Sequence, residues 1–385
     1  MKKVAGSCHL TLTLVVLAWV AAPSGTSADK GPAHQVVQNR PISLGTSGGN
    51  IQDISEFFCC SGTLGSLVRD AAGTQYILSN NHVLARTNSA TAGELITQPG
   101  LTDVGCAQIT ANGVATLSAT VPISFTSGTT NPVDAAIAQT LSGVVNTSGL
   151  ILDIGQVSTS TIAPILGAQV KKSGRTTGLT KGKIAVINLA VNISYNVECG
   201  IGSQVARFVN QFAITPGSFS KGGDSGSLIV ENVATCPHAV GLLFAGGGNV
   251  TIANPISAVL SAFNVTPVGC SISGSQEKSL VRRIVAWLFP SASAADGPPV
   301  DPAAIVATSQ VKERHEQALL SIQGVVGVGV GHSDVVPGQA AIAVFVERDT
   351  AELRQVLPAQ LDGIPLKITE TGKITAFGGS CSQAR

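Results

Sequence analysis

Short apolar runs, each closed by glycine, serine, threonine or asparagine, set the rhythm of the chain from residue 29 to about residue 270. GTLGSLVRD, TQYILSNN, VDAAIAQ, KIAVINLAV, GSLIV and AVGLLFAG are examples. Runs of this length between turn residues predict many short strands and an all-β barrel or sandwich. The rhythm breaks at QEKSLVRRIVAWLF, residues 276 to 289. There Leu280, Val281, Ile284, Val285 and Leu288 share one face of a predicted helix. PSASAADGPPVDPA then reads as a linker, so that residues 271–303 form a helix and connector. From residue 304 the period changes again. SQVKERHEQALLSI predicts a helix, VVGVGVG and AAIAVFVE predict strands, TAELRQVLPAQL predicts a helix and IPLKITE a strand. This α-β-β-α-β order predicts a small C-terminal α+β domain over residues 304–385. Its GxGxG run lacks the spacing and the following helix of a nucleotide loop, so its glycines read as close-packing positions on a strand.

The N-terminus has a different pattern. Lys2 and Lys3 precede an apolar run from Leu10 to Ala22, and small residues follow, with Ala22 and Ala28 as cleavage positions. This predicts a secretory signal peptide over residues 1–28. The run is shorter than the ~20 residues a membrane span needs, and no later stretch is long and apolar enough. The expectation is a secreted protein, extracellular or periplasmic. Seven of the eight cysteines remain after Cys8 leaves, and an oxidising compartment predicts disulfides among them. Seven is odd, so at least one thiol is free or paired between chains. No His/Cys spacing suits a metal, and neither metal nor cofactor is expected. A formal charge of +1 supplies no field for nucleic acid or anionic membrane.

Chemistry concentrates at three places. KGGDSGSLIV, residues 221–230, places Ser225 among glycines that let a tight turn expose its hydroxyl. The amides of Gly223 and Ser225 are the candidate oxyanion donors. The competing reading is an ordinary Gly/Ser hairpin turn. YILSNNHVLA places His82 at a strand end, and only His9 and His34 also precede Ser225. Imidazole is the side chain whose ordinary pKa suits proton transfer near neutrality. NPVDAAIAQT supplies Asp134 as the carboxylate to orient that base, with Asp103 and Asp153 as rivals.

The order His, Asp, Ser, with gaps of 52 and 91 residues, resembles the chymotrypsin-like serine peptidases. The bacterial secreted branch of α-lytic protease and the streptogrisins is the nearest. Its SGRTTG element appears within KKSGRTTGLTKGKI, residues 171–184, and NNHV is similar to the histidine motif of HtrA-type peptidases. The resemblance covers residues 56–268. It implies a mainly β fold of two antiparallel six-stranded barrels in a peptidase domain over residues 29–270. It also implies a serine endopeptidase acting on proteins or peptides, with His82 as base, Asp134 as its orienting partner, Ser225 as nucleophile and Gly223 in the oxyanion hole. Arg175 would pair with buried Asp224 as structural support. Phe219, six residues before the nucleophile, would line the specificity pocket, with Phe244 to Gly246 as another wall.

The chain departs from the family at several points. GDSGG is GDSGS here, so Ser227 crowds the turn, and the residue after the histidine is Val83. Lys172 and Lys181 stand where α-lytic protease has a cysteine pair. These departures leave an inactive protease-fold binding protein as the alternative, whereas an α/β-hydrolase elbow fails on its last glycine. Every triad candidate precedes residue 226, so the C-terminal domain is expected to be dispensable for the chemistry and free to bind a partner or regulate the cleft.

Overall fold

A computed structural model describes residues 32–271, 298–376 and 382–383. The signal region, the predicted helix at 276–289, Cys8 and Cys381 lie outside the described residues. Among the described residues no helix is long and apolar enough to cross a membrane.

In chain order the first half forms β1 (Thr46–Asn50), β2 (Phe58–Cys59), β3 (Gly62–Leu64), β4 (Ser66–Arg69), β5 (Gln75–Ser79), β6 (Leu95–Thr97), β7 (Gly113–Thr120) and β8 (Ala136–Thr140). Apart from β2, these join one antiparallel sheet in the order β4-β5-β8-β7-β6-β1-β3. The next strands are β9 (Gln169–Lys172), β10 (Thr180–Tyr195), β11 (Gln204–Thr215), β12 (Leu228–Glu231), β13 (Ala239–Gly247) and β14 (Val250–Pro255). They run in the order β11-β14-β13-β12-β9-β10, and β10 pairs back onto β11, so this second sheet closes. β15 (Thr266–Pro267) returns to the edge of β4. Leu64, Leu78 and Ile137 of the first sheet share one core with Leu228, Val230 and Leu242 of the second. The two sheets are thus packed face to face, and the site lies where they meet.

The C-terminal residues follow the predicted order. A helix over Pro302–Ser321, capped by the Asp301 carboxylate on the Ala303 amide, leads to β16 (Val325–His332) and β17 (Ala340–Val346). The helix Ala351–Val356, β18 (Gln360–Leu361) and β19 (Ile364–Glu370) complete the order. β16 is antiparallel to β17, and β17 is parallel to β19. One pairing departs from a self-contained module: β16 also bonds to β10, with Val186 opposite Gly331 and Ala190 opposite Val328. The two compositional halves therefore share a sheet. The glycines of VVGVGVG make this approach possible, since a Cβ on Gly329 would stand 2.4 Å from Val186 Cγ1. Phe345, Val326 and Ile374 then pack with Leu189, Val191 and Phe208 in one cluster.

Two short strands end the description. β20 (Thr375–Ala376) lies antiparallel to β13, with Ala376 opposite Ala245 and Thr375 opposite Gly246. β21 (Ser382–Gln383) pairs with β2. Disulfides join Cys59 to Cys106, Cys60 to Cys199 and Cys236 to Cys270. The second of these ties the tip of the β10–β11 hairpin to the first sheet.

Candidate active site

β5 ends at Ser79, and the chain turns into the short helix Asn81–Leu84, which places His82 beside the start of β8. His82 Nδ1 lies 2.6 Å from Asp134 Oδ2, and the His82 amide donates to Oδ1 at 3.3 Å. Asp134 is wholly buried, so its charge needs partners. Tyr195 supplies one, donating its hydroxyl to Oδ2 at 2.8 Å. Burial, and then the charge on Asp134, push the Tyr195 phenol well above its ordinary pKa, so it remains a donor. Asn254 fixes the backbone of Asp134 by accepting from its amide at 3.0 Å. The rival carboxylates are engaged elsewhere: Asp103 with Arg175 and Asp153 with His34.

Ser225 sits on a turn whose shape depends on glycine. Gly223 and Gly226 have φ of +93° and +91°, and a Cβ on Gly226 would lie 2.1 Å from Ser79 Oγ. Among the described residues the amides of Gly223 and Ser225 donate to no group. The turn is keyed to the first sheet, since the Thr63 amide donates to Ser225 O at 2.7 Å. A Cβ on Gly62 would meet both Val83, next to His82, and Ser225 O, at 2.5 and 3.0 Å. The Ser225 hydroxyl donates to Phe244 O at 3.2 Å, and His82 Nε2 is buried without a hydrogen-bond partner among the described residues. His82 and Ser225 are thus brought to one junction without a hydrogen bond between them. Such contacts often tighten only when substrate binds. Ser227 fits because its hydroxyl donates back to Asp224 O, while Gly174 leaves the space it needs.

The expected Arg175–Asp224 pair is not what forms. Asp224 accepts from the amides of Thr176, Thr177 and Lys221 and from the Thr177 hydroxyl, with Lys172 Nζ 3.6 Å away. Lys172, fully buried, brings the cation that Arg175 was expected to supply. Arg175 instead makes a two-pronged pair with Asp103, at 2.6 and 2.7 Å, and both side chains are nearly buried. Its Nη1 still lies 2.6 Å from where a Gly223 Cβ would stand, so it backs the turn that carries Ser225. Arg175→Ala should strand the Asp103 charge and cost about 3–5 kcal/mol, read as a fall in melting temperature. Arg175→Ala with Asp103→Asn should recover part of that loss. A shift too small to resolve in the single variant would show the pair to be idle.

The pocket expectation also needs correction. Phe219 is buried among Ile184, Phe212 and Ile229, with Lys172 Nζ 5.8 Å from its ring centroid, so it is core rather than pocket wall. Phe244 is wholly buried against Phe208, and it is its carbonyl that meets Ser225. Gly246 is paired on both sides, by Thr251 and Thr375. The cavity that does open beside His82, about 300 Å³, is walled instead by Tyr195, Cys199 and the Gln52–Ile54 turn. Asp53 lies in that turn, and burial raises its pKa to about 7. Asp53, Cys60 and Cys199 converge, but the two sulfurs are joined to each other and offer no metal ligand. Tyr195, Lys172 and Asp53 carry no signal of their role in the chain. Only the oddity of a lysine in the apolar run before SGRTTG hints at one of them.

The family profile described as the Nal1 C-terminal domain matches residues 126–254, a stretch that includes Asp134 and Ser225 but not His82. No curated protein matches the sequence. Among solved structures, a glutamic acid-specific serine protease with a histidine triad in substrate binding is 23% identical, with a TM-score of 0.41. That match covers 59% of this chain and 100% of the other. Cellulomonas bogoriensis chymotrypsin is 18% identical over 60% of this chain and 99% of its own, with a TM-score of 0.38. Thermobifida fusca protease A is 17% identical over 58% and 98%, with a TM-score of 0.37. The sheets themselves define the architecture. It is mainly β, one open and one closed sheet packed together, with His82 delivered by the first sheet and Ser225 by the turn entering β12 of the second.

Proposed function

We propose that the chain is a secreted serine endopeptidase, with His82 as general base, Asp134 as its orienting carboxylate, Ser225 as nucleophile and the Gly223 and Ser225 amides as the oxyanion hole. The observation that carries this is the buried His82–Asp134–Tyr195 cluster facing a glycine-shaped turn whose two amides have no described acceptor. Ser225 would form an acyl-enzyme with the peptide carbonyl, His82 passing the proton to the leaving amine. The three described disulfides accord with an oxidising destination.

The C-terminal strand enters the same reading as a regulator. Phe244 O receives the Ser225 hydroxyl, so a peptide whose carbonyl reaches Ser225 runs along Ala245 and Gly246 by strand addition. β20 already fills that edge. A second reading, an inactive binding protein, draws on the Ser225–Phe244 bond and the unpartnered His82 Nε2.

A chain ending at Ile374 separates the two readings. It keeps the buried Ile374 and removes β20 together with β21. The expected result is peptide hydrolysis at least ~10-fold faster in kcat/KM than the full chain, with fluorophosphonate labelling at Ser225. Equal rates in two labelled proteins would remove the regulatory role. Absence of labelling in both, with native circular dichroism, would favour the binder.

A further inference from the structure

The cavity beside His82 contains a buried acid that the catalytic arrangement leaves unused. Asp53 is 8% exposed, and its side-chain oxygens take part in no hydrogen bond among the described residues. Only backbone bonds hold the residue, its amide to Asn50 O and the Cys60 amide to its own carbonyl. The carboxyl opens into the cavity formed with His82, Tyr195, Gln52, Cys199 and Ala376. A buried carboxyl with no hydrogen-bond donor is costly, and it is rarely kept without a use.

The surrounding charges decide which ligand would satisfy it. Arg86 lines the same cavity, but Glu94 takes its guanidinium in two bonds, at 3.1 and 2.7 Å. Glu94 also accepts from Asn50 at 2.7 Å. Glu198 stands exposed at the rim, and His82 is held by Asp134. Arg86 is committed to Glu94, which leaves Asp53 and Glu198 as the cavity acids without an ion pair among the described residues. A volume of about 300 Å³ is at the lower end of ligand pockets and suits one long side chain.

We infer that Asp53 anchors a subsite for a cationic side chain, an ammonium or guanidinium carried by a residue flanking the scissile bond. This rests on the endopeptidase reading for its substrate, but binding of the cation does not depend on it. The chain then prefers peptides with lysine or arginine at that one position. Ala376 forms part of the wall, so the subsite lies at the end of the edge that β20 covers.

The raised pKa of Asp53 makes the obvious variant safe to use. Between the ordinary carboxylate range and about 7 the unfolded chain gives up the Asp53 proton that the folded chain keeps, so stability falls as pH rises across that window. Asp53→Asn removes that cost and should fold at least as well at pH 8.

The test measures binding of n-butylammonium and n-butanol to the full chain at pH 8 by calorimetry. The cation is expected to bind at least ~10-fold tighter than the alcohol, one such factor being a decade in Kd. In Asp53→Asn the two should come within about twofold of each other. No preference in the wild type, or a preference that survives Asp53→Asn, overturns the subsite. The second arm compares kcat/KM for peptides with a lysine or a norleucine walked through the flanking positions. Preference at one position, lost in Asp53→Asn, is expected. No such position among cleaved peptides overturns the substrate assignment. Cation binding without hydrolysis of any peptide would leave the subsite standing and bring down the peptidase reading instead.

Discussion

Ser225→Ala should abolish peptide hydrolysis, with a loss in kcat of about 10⁶-fold, while the melting temperature stays within a few degrees. As the proposed nucleophile, Ser225 has no substitute at this junction. Its hydroxyl makes one bond, to Phe244 O, and removing it disturbs no buried charge. The turn is held independently, by Thr63 through Ser225 O and by the amides and hydroxyl that surround Asp224. His82→Ala should be as severe. Asp134→Asn should lose about 10⁴-fold, because the amide no longer selects the imidazole tautomer that offers Nε2 to the serine. Tyr195→Phe removes the second donor to the same Asp134 oxygen and should cost far less. Rates are best compared in the chain ending at Ile374. Full activity in Ser225→Ala would end the assignment.

Deleting the C-terminal residues altogether should have the opposite character, a failure of folding rather than of chemistry. A chain ending at Ser291 exposes the edge of β10 from Val186 to Val191, which β16 covers. It also strips Val326, Ala343, Phe345 and Ile374 from the cluster around Leu189, Val191 and Phe208. Burial of a large apolar side chain is worth about 1.5–3 kcal/mol, and a domain's net stability is only about 5–15 kcal/mol. Losing several such contacts, on top of an exposed strand edge, consumes that margin and invites aggregation. The expected product is insoluble or lacks a cooperative melt. A soluble chain ending at Ser291, melting close to the full chain and reacting with fluorophosphonate, would show the shared sheet to be energetically minor.

The contrast with the sequence expectation marks where reading by pattern stops. Short bounded runs such as TQYILSNN and GSLIV declare strands because alternation and turn residues are local properties. His82, Asp134 and Ser225 were legible as candidates for the same reason: each stands at a strand end or turn with few rivals of its type. Pairing is not local. That β16 would choose β10 depended on glycines accommodating Val186 across more than a hundred residues of chain. The cation beside Asp224 came from Lys172 rather than Arg175, because both lie within a few residues of the same turn, both are buried, and only the fold decides which one faces Asp224. Phe219 kept its position in the motif, but its ring turned into the core. Tyr195 reaches Asp134 through a long hairpin whose curvature no periodicity announces.

The sheet shared by β10 and β16 also sets an order of assembly. When residues 180 to 255 have been made, the second barrel can close through β10 and β11, yet one flank of β10 has no partner until residue 332 is added. Long-range pairings of this kind are slow to form, and the waiting edge is open to wrong partners. The strand that fills the edge beside Ser225 comes later still, at residues 375–376. The His82–Asp134–Ser225 junction is therefore the older part of each newly made molecule, and its covering strand is made some 150 residues after Ser225.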